Sequence, residues 1–259
     1  MQSNASEKSA SGISGHANAH LSGNVNRSAN DGTITRFGWK AQNKSLLMFA
    51  GEAYNVEMGI TNQLFPQERD ETPGCLFNAT PEDTLNFTPT PETTGNSNTA
   101  VISDIEAFAN FMRMLAPPAP ATPSSEKGRA TFERIGCVHC HTPSFTTGAK
   151  IASGSSTSPS AALSNQTANL YSDLLVHHMG KGLADGITQG GAGPDEFRTA
   201  PLWGVGQRIF FLHDGRTTNL VEAIRDHQSD GSEANEVIKR FNRLTTQEQQ
   251  DVIDFLRSL

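Results

Sequence analysis

The sequence predicts a mainly α-helical protein with long irregular loops, and three observations predict it. Apolar residues recur at helical spacing in five stretches, most regularly at Val252, Phe255, Leu256 and Leu259. Between them lie segments rich in Pro, Ser, Thr, Gly and Asn, notably 67–100, 117–123 and 144–169, which read as loops. Finally, Gly128 and Phe132 on one helix and the apolar stripe on the last are what two crossing helices need to pack closely.

Residues 1–30 are rich in Ser, Asn, Gly and Ala with almost no large apolar side chain, which predicts a disordered tail. His16 and His20 lie four apart there, but no core stands by to hold a helix, and a solvated tail is the better reading than a metal site. Residues 31–123 read as the remnant of an N-terminal or inter-domain region, a partial helical segment from a truncated first domain. Arg36-Phe37-Gly38-Trp39-Lys40 opens its ordered part. Leu46, Leu47, Phe49, Ala50 and Ala53 then predict a helix toward Met58-Gly59-Ile60-Thr61, which Pro66 ends. The stretch 67–100, containing Cys75, is too long for an ordinary connection. Ser103 or Asp104 caps the next helix, with Ile102, Ile105, Phe108, Met112 and Leu115 as its stripe.

Pro117-Pro118-Ala119-Pro120, followed by Pro123, is a stiff break and the expected boundary of a second domain over 124–259. Ser125 starts a helix carrying Gly128, Phe132 and Ile135, and 144–169 is a loop with little to pack. Leu220, Ala223, Ile224 and His227 share a helical face, and Thr245-Thr246-Gln247-Glu248 is a capping box opening the last helix.

After Ile135-Gly136 comes Cys137-Val138-His139-Cys140-His141. Two thiols three positions apart, with a histidine directly after the second, form the attachment pattern of a c-type haem. Cys137 and Cys140 lie about one helical turn apart, so both sulfurs reach the vinyl groups of one porphyrin and His141 is carried under the iron as proximal ligand. A thiol–disulfide pair and a zinc site that includes His141 are the competing readings. A zinc site needs a fourth ligand and usually a second close pair, whereas the only other cysteine, Cys75, is alone far upstream. A redox pair gives no reason for the trailing histidine. One covalently bound haem c is the expected cofactor.

Composition bounds the partners. A net charge of −7 offers nothing to neutralise a phosphate backbone and argues against nucleic acid, while it is compatible with docking a basic redox partner. Hydrophobic residues make up 36% and the mean hydropathy is −0.43, with no run near the roughly eighteen apolar residues of a membrane span. Three cysteines are too few for a disulfide scaffold. With two of them on haem, Cys75 is left over, either as a buried thiol or as the partner of something outside this chain. The N-terminus Met1-Gln2-Ser3-Asn4-Ala5-Ser6 has neither a basic nor an apolar region of a signal peptide. Because c-type haem is attached outside the bacterial inner membrane, a periplasmic protein missing its true start is expected.

Several motifs together carry a family resemblance. They are Arg36-Phe37-Gly38-Trp39-Lys40-Ala41, Met58-Gly59-Ile60-Thr61, Cys137 to His141, Tyr171-Ser172-Asp173-Leu174-Leu175, Gly182-Leu183-Ala184-Asp185-Gly186, Arg198-Thr199-Ala200-Pro201-Leu202-Trp203-Gly204 and His213-Asp214-Gly215-Arg216. Residues 125–259 resemble the c-type cytochrome fold. From residue 31 onward the chain is similar to the C-terminal part of the bacterial di-haem oxidoreductases, often labelled thiol oxidoreductases and related to the di-haem cytochrome c peroxidases. That family carries an earlier Cys-x-x-Cys-His, which this sequence lacks. The resemblance therefore implies that the half holding the other haem, where peroxide-type chemistry is expected, is missing. His178 stands where the family commonly has an acidic residue and is assigned no role.

The resemblance also implies a sixth iron ligand, for which Met179, His177, His213 and His227 are candidates. A methionine raises the potential and a second histidine lowers it. In the related peroxidases the helix after a His-x-Gly turn carries a distal methionine, and the matching position here, twelve residues past Gly215, is His227. His227 is accordingly the first candidate, against the reading of a hydrogen-bonded core histidine, with Met179 the alternative and His213 a turn histidine. Arg198 and Arg216 are expected to flank the pocket and neutralise the haem propionates, against solvated surface charge. Trp203 is expected to pack on the porphyrin edge.

With one motif present, the preferred function is electron transfer through a single six-coordinate haem, the redox partner being a protein or a small oxidant. The alternative is a peroxidase- or oxygenase-type enzyme in which this haem feeds a catalytic one elsewhere. No free reactive thiol pair supports thiol oxidation, and a structural zinc module is the remaining class.

Overall fold

The computed structural model describes residues 35–67, 72, 74, 103–119, 122–153 and 156–259. The expectations for residues 1–30, for Cys75 and for most of the 67–100 loop lie outside them. Among the described residues are six α-helices and six strands of two or three residues, so the protein is mainly helical, as expected. They form two compact units. One contains Gln42–Ala116 and the residues just before Trp39; the other contains Pro117–Leu259 and the short segment Trp39–Ala41.

In the first unit, α1 spans Leu46–Met58 and is capped by Ser45, whose hydroxyl accepts the Met48 N–H at 3.1 Å. It stops at Gly59, whose φ of 70° lets the next amides turn back onto Asn55 and Tyr54 carbonyls. Helix α2, Asp104–Met114, begins with a reciprocal capping box between Ser103 and Glu106 and packs on α1. Of the expected stripe, Ile105 is buried, whereas Phe108 and Leu115 are exposed among the described residues. Phe108 meets the Tyr54 ring edge-on at 5.4 Å.

The second unit is built around α3, Glu126–Ile135, and the C-terminal helix. The helices between them are α4, Leu220–Arg225, and α5, Asn235–Asn242; α6, Thr246–Arg257, follows the predicted capping box of Thr245 and Glu248. Phe132, Ile135, Val205, Phe241, Val252, Phe255 and Leu256 form its core. Helix α5 carries Val237, Ile238 and Phe241 into this region, although the sequence reading left it unassigned. It has no side-chain cap at Ala234, so the usual start signal is absent.

Helices α3 and α6 pack against each other at Gly128, where a Cβ would overlap the Asp251 carbonyl oxygen and press on Phe255 Cβ. Neither is a flexible side-chain end that could give way. Gly128→Ala is expected to destabilise the unit by about 3 kcal/mol, the upper end of ordinary overpacking, despite alanine's better helix propensity. Thermal unfolding of the purified protein checks this; an unchanged or raised Tm would contradict the close crossing.

The stretch 144–169 is more ordered than expected. Strand β1, Phe145–Thr146, pairs antiparallel with β4, Thr167–Ala168, and β2, Ile151–Ser153, pairs with β3, Ser156–Ser158. Ladders this short rest on backbone hydrogen bonds and leave no apolar alternation to read. A third pair, β5 (Val176–His178) with β6 (Glu196–Arg198), sets His177 opposite Phe197 and Val176 opposite Arg198.

The segment Trp39–Ala41 is held in this unit by Lys40, only 2% exposed. Its ammonium donates to the carbonyls of Gly193 at 3.0 Å and Glu196 at 3.1 Å, pairs with Asp185 at 3.1 Å, and lies 4.0 Å from the Phe197 ring centroid. A buried charge needs such a set of partners. The Arg198 amide completes the attachment by donating to the Trp39 carbonyl at 2.8 Å.

Candidate haem-binding site

The Cys137–His141 segment is aimed by the end of α3. Gly136, at φ 101°, takes the left-handed conformation that closes the helix, with its amide donating to the Glu133 and Phe132 carbonyls. A 3₁₀ turn over Cys137–His139 follows, and the amides of Cys140 and His141 both return to the Cys137 carbonyl, at 3.3 and 2.9 Å. This turn puts both thiols on one short loop.

The segment 171–173 runs alongside. Tyr171, Ser172 and Asp173 donate their amides to the carbonyls of Pro143, Thr142 and Cys140, at 3.1, 2.9 and 2.8 Å. Tyr171 itself sits at φ 48°, unusual for a non-glycine residue. Its carbonyl accepts from His141 Nδ1 at 2.9 Å, and its ring packs on Phe255 and Phe132, with centroids 5.6 and 6.3 Å apart. Such aromatic pairs are worth about 1 kcal/mol each, a gain that offsets part of the backbone strain.

His227 arrives from the opposite direction. Helix α4, capped by the Asn219 side chain, ends at Arg225, two residues short of His227. The shared helical face is nevertheless kept, because His227 Nδ1 donates to the Ala223 carbonyl at 2.7 Å. A carbonyl can only accept, so Nδ1 carries the proton in both His141 and His227, and each Nε2 is left bare. Among the described residues neither Nε2 makes a hydrogen bond. This is the tautomer that ligates a metal, with the other nitrogen oriented by a carbonyl behind it.

Each ring keeps some accessible surface, yet the protein packed around it governs its charge. Burial lowers His141 to about 4, the Tyr171 bond opposing and nearby His227 adding to the fall. Burial also lowers His227, so both imidazoles are neutral near pH 7.

The two histidines face a common cavity of about 220 Å³. Phe132, Leu202, Val205, Val237 and Leu256 give it apolar walls, and Cys137, Cys140, Met179, His213 and Arg198 also line it. Arg198 is lowered by burial to about 10 and remains a cation at neutral pH. His213 is stacked on Phe197, ring centroids 4.1 Å apart, an aromatic contact rather than the backbone bond expected of a turn histidine.

Two expected residues are not brought to the cavity. The Arg216 guanidinium is exposed, held locally by Asp214 at 2.6 Å and by the Gly182 carbonyl at 2.6 Å. Trp203 is 37% exposed and lies outside the lining, whereas Trp39 is part of it. His177 lines the cavity with both ring nitrogens engaged, Nε2 by Asp173 at 3.0 Å and Nδ1 by Glu233 at 2.9 Å, so it has no nitrogen left for a metal. Burial opposes its charge, but those carboxylates, with the Cys140 thiol, raise it to about 12. His178 is half exposed and bonded to Asp195.

Sequence reasoning missed Trp39, Asp173 and Glu233. Trp39 and Asp173 fell inside quoted motifs, but their spacing gives no hint of the cavity; Glu233 had no signal at all.

Burial pushes the Cys137 thiol up to about 12, which disfavours the thiolate needed for disulfide exchange or zinc binding. Cys137 and Cys140 are not joined to each other, and among the described residues no group of three or more His, Cys, Asp or Glu is placed to hold a metal ion. The donor set fits a haem: two thiols on one turn, two neutral imidazoles and an apolar cavity between.

A family model described as "Di-haem oxidoreductase, putative peroxidase" matches residues 2–259. The chain belongs to the di-haem oxidoreductase family. Membership implies a haem cofactor and a redox role for this chain. No curated protein sequence matches it. Among solved structures, the chain is similar to hydrazine synthase of Kuenenia stuttgartiensis, solved under xenon pressure, at 18% identity and a TM-score of 0.39. The likeness covers 66% of this chain and 60% of that one. No described helix is long and apolar enough to cross a membrane.

Proposed function

We propose that residues 124–259 form a periplasmic c-type cytochrome domain that holds one haem through Cys137 and Cys140 and passes single electrons. Residues 31–123 are then an N-terminal or inter-domain region. The observation that carries this reading is the pair of bare Nε2 atoms, on His141 and His227, facing the cavity that both cysteines line.

When bound, the haem supplies a reversible one-electron couple. The chain's residues do the rest. Tyr171 and Ala223 hold His141 and His227 neutral with Nδ1 turned to a carbonyl, and these two histidines, or His141 with Met179, would hold the haem iron. Arg198 offers a cation to a propionate. The apolar walls would keep water from a bound haem and lower the local dielectric. The family description favours a second reading, in which this haem feeds a peroxidase haem outside residues 124–259.

Expression with the cytochrome c maturation machinery and a redox titration followed by visible absorption test the proposal. A low-spin spectrum titrating as one one-electron couple, without hydrogen peroxide turnover, is expected. Absence of a Soret band overturns haem binding. Peroxide turnover by this chain replaces electron transfer by the enzyme reading.

A further inference from the structure

Exposed cations stand beside the Cys137–His141 turn, Arg134 on α3 and Lys239, Arg240 and Arg243 on or next to α5, and haem attachment uses none of them. We propose that Arg240 and Arg243 make this face the docking surface for an acidic protein that carries single electrons; the inference rests on the haem-binding reading above.

Position is the first support. Arg240 Nη1 donates to the Ile135 carbonyl at 3.4 Å, two residues before Cys137. A Cβ on Gly136 would lie 3.4 Å from the same Nη1 and 3.2 Å from His139 Nε2, so both side chains flank the residue that aims the turn. Cys137, Val138, His139 and Cys140 are each half-buried, so the turn itself reaches the surface. Arg243, the C-cap of α5, follows Arg240 by three positions, the spacing of neighbours on one helical face. Lys239 first, then Arg240 and Arg243, hold the Glu236 carboxyl below its usual range, which groups the three cations around one carboxylate.

The sign of the face follows from its pairs. Lys239 is matched by Glu236 at 2.6 Å and Arg134 by Glu248 at 2.8 Å, while Glu133 at the same end of α3 is held by Arg129 at 2.7 Å. Arg240 bonds a neutral carbonyl, and Arg243 makes no ion pair among the described residues, so two positive charges remain. An approaching protein feels chiefly the charges within a Debye length, about 10 Å at 0.1 M salt. The net charge of −7 is spread over the whole chain, whereas the two arginines sit together at the turn. The local sign therefore wins, and it selects an acidic partner rather than the basic one that the net charge suggests. Two unmatched cations are also fewer than the roughly four to eight that hold a protein on an anionic membrane. The exchange moves one electron between the carrier and the bound haem, with no bond broken and no proton moved.

The test compares the full haem-loaded chain with the variant Arg240→Gln/Arg243→Gln. Hexacyanochromate(III), a redox-inert paramagnetic anion, should broaden the amide signals of 136–140 and 239–243 in the wild type and not in the variant. Oxidation of the reduced chain by hexacyanoferrate(III) should slow as salt rises above about 0.1 M, and at that salt be about threefold slower in the variant. The cationic oxidant tris(phenanthroline)cobalt(III) should instead react faster with the variant. Amide broadening confined to other segments overturns the proposal. So does a hexacyanoferrate(III) rate that the variant leaves unchanged, or that rises with salt as the net charge would dictate. Wild-type chain that pellets with phosphatidylglycerol vesicles, where the variant does not, gives the face to a membrane and overturns the protein carrier. A wild type without haem fails the haem-binding reading instead, and the broadening still reads the face. Arg243→Gln alone decides if the double variant does not fold, since it leaves the Arg240 bond to Ile135 intact.

Discussion

Replacing Cys137 and Cys140 together by serine is expected to abolish the haem that the wild type retains through denaturing electrophoresis. The effect is all or none, because nothing but the two thioether bonds survives denaturation. The proposed axial contacts of His141 and His227 depend on folded geometry, on the Tyr171 and Ala223 carbonyls that orient the rings. The double variant can thus still take up haem in its folded state and show a Soret band, which it would lose in detergent. Either single variant should keep some covalent haem through the remaining sulfur. Haem on the denatured double variant, detected by its peroxidase stain, would contradict attachment at these positions.

The second large effect concerns the distal side. With His227 as ligand, the ferric haem is low-spin and six-coordinate, and cyanide enters slowly. His227→Ala then leaves the cavity without that Nε2, so the iron should turn high-spin or take water and bind added imidazole readily. The substitution also removes the bond to the Ala223 carbonyl, but Ala223 lies at the end of α4, where such a loss is local. The rival ligand makes the opposite forecast. If Met179 binds, its removal erases a sulfur-to-iron charge-transfer band and lowers the potential, while His227→Ala leaves the spin state alone. Magnetic circular dichroism of both variants decides between them.

The Cys137–His141 turn was legible because its pattern is local: two thiols and a histidine within one turn need no tertiary information. The cap of α6 was legible for the same reason, since Thr245 and Glu248 satisfy each other's amides three residues apart. His227 could be singled out only through family resemblance, and the helix it was placed on stops before it. What the sequence could not show depends on contacts distant in the chain. Trp39 reaches the cavity unit because Lys40 finds carbonyls more than 150 positions away. The partners of His177 lie 4 and 56 positions from it, and the second separation has no motif. Arg216 failed as a pocket residue because Asp214, two positions away, captures its guanidinium. Local pairing won over the expected long-range role.

The intact mass of the denatured wild-type chain, expressed with the maturation machinery, tests covalent attachment most directly. The polypeptide mass increased by one haem, with the haem-bearing peptide spanning Cys137–His141, is the predicted result. An unmodified mass in protein that binds stoichiometric zinc and no haem would contradict it.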